Sequence, residues 1–143
     1  MATDRRADVV WQGDLMSGSG RIGSVTSGAL PELDVSWIAR SGEAAGKTSP
    51  EELIAAAHAS CFSMALSNGL AQGGNPPERL ETSATVTFQP GEGITRSALT
   101  VRGSVPGMSA EDFQAAAEDA KVNCPVSKAL AGTNVVLESA ELV

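Results

Sequence analysis

Two residues of this 143-residue chain have side chains suited to redox chemistry: Cys61 and Cys124, the only cysteines, 63 positions apart. A thiolate can attack an electrophile, and a second thiol can then close a disulfide. In a reducing compartment a lone pair of cysteines is either two unrelated buried thiols or a pair that cycles between thiol and disulfide. Their contexts are unequal. Cys61 lies about three turns into a predicted helix, where the macrodipole has largely decayed. A buried thiol there is inert unless an outside cation holds it as thiolate. Lowering its pKa from ~8.5 to ~6 requires about 3.4 kcal/mol. One or two charge-assisted hydrogen bonds at ~1.5–3 kcal/mol each supply that, and an arginine is the obvious donor. Cys124 precedes Pro125, which places it at the N-cap of a second predicted helix, where free N–H groups and the positive dipole end favour a thiolate. Cysteine is not a preferred cap, so capping alone explains it poorly.

His58 is the only histidine and stands three residues before Cys61. A Cys–His pair suits a hydrolase or half of a metal site. His58, Cys61 and Cys124 nevertheless lack the CxxC or HxxxH spacing of metal ligands, and no nucleophile-elbow or papain-like signature surrounds Cys61. The expectation is a helix histidine with satisfied hydrogen bonds, with no metal and no cofactor. Glu51 and Glu52 fall in the first turn of the same helix. Glu52 completes a capping box with Ser49, leaving Glu51 to complement the dipole. The alternative register, Thr48 with Glu51, exchanges those roles.

The elements that position these residues follow from period changes. Ser49-Pro50-Glu51-Glu52 is a helix start. The helix runs through Ile54, Ala57, Cys61, Met64 and Ala65 to Gly73-Gly74. Alanines lie nearly all round it, the pattern of a helix buried between layers. Upstream, residues 7–12 and 33–40 alternate as short strands, with a further strand around 21–26, and 41–49 reads as a loop. Downstream, Leu80 to Phe88 alternates, Pro90-Gly91-Glu92-Gly93 turns the chain, and Leu99, Val101 and Val105 continue a hairpin. Ser109 caps a helix with a Phe113, Ala117, Ala120 stripe. Pro125 restarts a short helix ending at Gly132, and Val135 to Leu142 is a last strand. The predicted architecture is a single α+β domain over 1–143, with helices packed against an antiparallel sheet.

Lys and Arg number 10 against 17 Asp and Glu, giving a net charge of −7 and a pI near 4.6. No basic run offsets that balance, which argues against nucleic acid or an anionic membrane as partner. The apolar runs fall short of the ~18 residues of a membrane span, and Met1 to Asp8 carries no apolar signal segment. A cytoplasmic protein is expected.

The segment Thr48-Ser49-Pro50-Glu51-Glu52 through His58-Ala59-Ser60-Cys61-Phe62 to Ser67 resembles the central helix of the osmotically inducible protein C (OsmC) family, which includes the organic hydroperoxide resistance proteins. Asn123-Cys124-Pro125-Val126-Ser127-Lys128-Ala129-Leu130 is similar to that family's second cysteine site. Trp11-Gln12-Gly13-Asp14 and the stretch Gly20 to Leu30 resemble the OsmC branch, so the likeness covers essentially the whole chain. It implies an OsmC-like α+β fold, antiparallel sheets on long central helices, in an intertwined homodimer with active sites at the interface.

The resemblance further implies a thiol peroxidase of the oxidative and osmotic stress responses. Cys61 matches the peroxidatic cysteine, Cys124 the resolving one, and Glu51 the family's catalytic glutamate. The arginine matches Arg40 in the OsmC branch, against a position nearer Arg21 in the hydroperoxide-resistance branch; the Pro-Glu-Glu-Leu helix with Ala-His-Ala favours Arg40. The implied substrates are organic hydroperoxides and, more weakly, hydrogen peroxide. The implied reductant is a dithiol such as a lipoylated protein. Phe62, Met64 and Ile38 are either walls for an organic tail or core residues. If residues 50–72 form one helix, Glu51 and Cys61 are ~15 Å apart along its axis. Glu51 and Arg40 of one subunit are therefore expected to approach Cys61 of the other. The alternative from a different class is a redox-sensing or binding protein whose cysteines oxidise without fast turnover.

Overall fold

One unbroken helix of 23 residues, α2 (Pro50–Gln72), dominates the computed structural model, which describes residues 1–143. It begins at Pro50, directly after Ser49, and ends before Gly73 and Gly74, as the start and stop residues predict. Gly74 adopts φ +89°, which a residue with a Cβ reaches only at a cost. The chain divides into two compact units, Met1–Pro50 and Glu51–Val143.

The N-terminal unit is a three-stranded antiparallel meander, β1 (Ala7–Gln12), β2 (Ser19–Val25) and β3 (Leu33–Val35). Gly20 is required there: a Cβ at that position would lie 2.7 Å from the Trp11 ring and 2.8 Å from Val35 Cγ2. The strand expected over 33–40 ends at Val35. Ser36 then caps a short helix, α1 (Trp37–Ser41), its hydroxyl accepting from the Ala39 N–H at 3.1 Å. The alternation of Val35, Trp37 and Ala39 with Ser36, Ile38 and Arg40 imitates a strand, but a serine cap captures the backbone locally. Ile38 is consequently exposed. The loop that follows is anchored by the Thr48 N–H, which donates to Asp34 O at 3.0 Å.

The C-terminal unit is built on the predicted hairpin, β4 (Arg79–Gln89) and β5 (Gly93–Ser104), paired antiparallel along its length. Then follow α3 (Ala110–Asn123), capped by Ser109, α4 (Pro125–Ala129) and β6 (Asn134–Leu142). β6 runs parallel to β5, a departure from an all-antiparallel sheet. Its side-chain alternation carries no direction; the crossover through α3 and α4 does, because it returns the chain to the same end of the sheet.

The core joins Phe62, Leu66 and Leu70 of α2 to Leu99, Val101 and Val105, to Phe113, Ala117 and Ala120 of α3, and to Cys124. The buried stripe of α2 is therefore His58, Phe62, Leu66 and Leu70, at i, i+4 spacing. It is not the expected row through Ala57, Cys61 and Met64; Met64 is 71% exposed. With alanines on every face, period alone does not choose a side, and the larger area of Phe and Leu does. The outward face keeps its small apolar residues. In consequence α2 has the length and composition to cross a bilayer, with mean hydropathy 1.3 over 18 residues, a property that the lengths of its apolar runs do not reveal. Its large residues are instead spent on the core of this unit.

Candidate active site

Cys124 stands between two helices, closing α3 as C-cap and opening α4 as N-cap. It is fully buried, with φ −58° and ψ 123°, and its side chain makes no capping bond. Its thiol instead hydrogen-bonds Cys61 on α2. The fold thus brings together two thiols that are 63 residues apart in the chain. Cys61 is half-buried, and both cysteines are free.

Cys61 also accepts a hydrogen bond from the backbone N–H of Val126, in the first turn of α4. The start of α4 thus supplies a backbone donor to Cys61. The Val126 donor pulls the Cys61 pKa down, yet burial pushes it up, and so does the hydrogen bond with Cys124; the net direction is upward from the ordinary thiol value. Burial thus outweighs the Val126 donor at this sulfur.

His58, one turn before Cys61, is completely buried. Its Nδ1 lies 2.6 Å from Ser97 Oγ on β5, and its Nε2 lies 2.8 Å from Ser127 Oγ on α4. Burial holds its pKa below the usual imidazole value, so the ring is neutral. This is the satisfied helix histidine expected from the sequence. Both ring nitrogens are taken up by serine hydroxyls, and no group of three His, Cys, Asp or Glu side chains is arranged to hold a metal ion. Every buried side-chain nitrogen and oxygen has a hydrogen-bond partner.

Glu51 is buried in the first turn of α2. Since α2 is unbroken, the carboxylate is about 15 Å from Cys61 along the axis. Arg40 belongs to the N-terminal unit, in the last turn of α1, where its N–H donates to Ser36 O at 3.1 Å. Arg21, the other arginine considered, is tied on β2 to Asp34 and Glu32, each at 3.0 Å, and Asp34 raises its pKa further. Phe62 is a core residue, whereas Met64 and Ile38 are exposed and free to line a surface. Val126, Ser97 and Ser127 were not identified from the sequence. Ser127 alone leaves a trace there, three residues after Cys124 and so on its side of α4.

A family model for OsmC-like proteins matches residues 42–139, which include both cysteines, His58 and Glu51. The chain belongs to the OsmC-like family. It is 39% identical over 133 residues to the peroxiredoxin OsmC of Escherichia coli strain K12, covering 91% of this chain and 92% of that protein. It is 35% identical over 133 residues to the organic hydroperoxide resistance protein OhrA of Bacillus subtilis strain 168, covering 85% and 90%. The higher identity supports the OsmC branch. The crystal structure of OhrB from Bacillus subtilis superposes with a TM-score of 0.63 at 27% identity, covering 96% of this chain and 98% of that one. Among OsmC-like chains the α+β architecture is therefore the shared fold.

Proposed function

We propose that this OsmC-like chain is a cysteine-based thiol peroxidase that reduces organic hydroperoxides and, more weakly, hydrogen peroxide. The observation that carries the reading is the contact between Cys61 and Cys124, with the Val126 N–H directed at the Cys61 sulfur. Matches to a peroxiredoxin and to an organic hydroperoxide resistance protein support it. The Cys61 thiolate attacks the distal peroxide oxygen, an alcohol leaves after taking up a proton, and Cys61 becomes a sulfenic acid. Cys124 attacks that sulfur, releasing water and forming the Cys61–Cys124 disulfide. A dithiol, such as the lipoyl group of a lipoylated protein, then reduces the bond and is itself oxidised.

The working form in this reading is a homodimer of single 1–143 domains in the cytoplasm. Glu51 and Arg40 of one subunit serve Cys61 of the other: Arg40 holds the thiolate and Glu51 orients the guanidinium through paired hydrogen bonds. Two observations support a composite site. Glu51 and Cys61 are held apart on one helix, and the Cys61 pKa is raised in the lone chain. The outward alanine face of α2, with Met64 exposed, is the surface such a dimer would cover.

With cumene hydroperoxide and a dithiol, the protein is expected to turn over with one disulfide per chain, and Cys61→Ser to abolish consumption. Cys124→Ser is expected to stop after one equivalent. Full activity in Cys61→Ser would overturn the reading. The raised Cys61 pKa favours a second one, a redox sensor whose cysteines oxidise slowly; it requires disulfide formation without steady-state peroxide consumption.

A further inference from the structure

The two cysteines form one of the cross-links between α2 and the start of α4. His58 and Cys61 are three apart on α2, and Cys124 and Ser127 are three apart across the start of α4. Residues at that spacing share a helix face. The pairs His58–Ser127 and Cys61–Cys124 are thus neighbouring rungs between the same two elements. The histidine rung is anchored at its far end, because Nδ1 is held 2.6 Å from Ser97 Oγ on β5. A neutral imidazole offers one N–H and one lone pair, and each serine hydroxyl either donates or accepts, so both bonds form together. His58 and Ser97 are completely buried and Ser127 nearly so, which makes loss of either bond costly.

α4 has five residues, too few to hold its orientation by its own backbone bonds. Its bearing on Cys61 must come from tertiary contacts. We propose that His58 is a positioning residue for disulfide closure: through Ser127 it ties the first turns of α4 to α2, and so sets Cys124 and the Val126 N–H against Cys61. The step served is Cys61–SOH plus Cys124–SH giving Cys61–S–S–Cys124 and water. The same geometry governs the reverse exchange, in which a dithiol takes up the oxidation and both protein thiols are regenerated. The inference deepens the proposed peroxidase cycle and rests on closure between these two cysteines.

The test is an equilibrium that needs no peroxide. The full-length protein is incubated in buffers of reduced and oxidised dithiothreitol, and the disulfide fraction is read by mass spectrometry. Ser127→Ala is expected to lower the equilibrium constant for closure about tenfold, or about 30 mV for this two-electron couple. Ser127→Thr, which keeps the hydroxyl, should stay within twofold of the parent, and His58→Gln should fall between the two. Val101→Ala, a core deletion on β5 that removes no group of either rung, controls for general loosening and should leave the constant within twofold. With excess cumene hydroperoxide, Ser127→Ala should also accumulate Cys61 sulfinic acid severalfold faster, because slow closure leaves the sulfenic acid exposed longer. An unchanged constant in folded Ser127→Ala, an equal fall in Val101→Ala, or no Cys61–Cys124 disulfide in the parent would each overturn the proposal. Failure of the peroxidase reading shows separately, as absent peroxide consumption with the equilibrium shift intact.

Discussion

Glu51 and Cys61 occupy one unbroken helix, ten residues and about 15 Å apart. In the proposed peroxidase site they come from different copies of the chain. Mixing Cys61→Ser with Glu51→Gln subunits, each expected to be nearly inactive alone, should restore activity. Random exchange makes half the dimers mixed, each with one intact site, so about a quarter of the parental rate is expected. A mixture no more active than its components would exclude the shared site.

The raised Cys61 pKa belongs to the single chain, where burial and the Cys124 thiol outweigh the Val126 N–H. Supply of a guanidinium across an interface should reverse the direction. Thiolate absorbance at 240 nm, followed against pH in Cys124→Ser, should place the Cys61 transition below the ordinary thiol value in the dimer. Arg40→Ala should move it above that value. A transition that does not respond to Arg40 would assign the cation elsewhere, with Arg21→Ala as the next variant to measure.

His58 gives stability a pH dependence with a definite sign. Its folded pKa is depressed by burial, so the unfolded chain takes up a proton below about pH 6.5 while the folded chain does not. Its contribution is complete above that pH and is lost as pH falls toward the folded-state pKa. The slope is at most about 1.36 kcal/mol per pH unit, one proton's worth. Urea unfolding at pH 7.5, 6.5 and 5.5 should show the loss in the parent and a flatter dependence in His58→Gln. As the chain has a single histidine, no other side chain of that type confuses the comparison.

Gly103 lies under a ring. A Cβ there would be 2.5 Å from Phe113 Cζ and 3.1 Å from Leu80 Cδ2, and Phe113 is completely buried. Gly103→Ala should destabilise the C-terminal unit by about 1–3 kcal/mol through overpacking. Chemical denaturation checks this; a change under 0.5 kcal/mol, the ordinary range for a surface position, would mean that α3 yields easily.

Much of the backbone was legible because its signals are local. Ser49-Pro50-Glu51-Glu52 starts α2, paired glycines follow its end, and clean alternation marks β4 and β5. Where a local signal is short or symmetrical, reading failed. A single serine cap outcompeted the apparent strand at Trp37, and the all-round alanines of α2 concealed that Phe62, Leu66 and Leu70, rather than Met64, face the core. Strand alternation fixes a face but no direction, so the parallel pairing of β6 has to be read from the crossover through α3 and α4 instead.

For the site, the sequence by itself determined which residue types are available: two cysteines in unequal contexts, a lone histidine and acidic residues at a helix start. The family likeness, rather than any spacing, picked out Arg40 and Glu51. Only the tertiary structure decided that Cys61 meets Cys124, that the Val126 N–H serves Cys61, and that His58 joins Ser97 to Ser127. These contacts span 39 to 69 residues for the histidine and 63 for the cysteines. Caps and periods act over a turn or two. Pairing across such distances comes from packing three elements around one core, which no local pattern encodes.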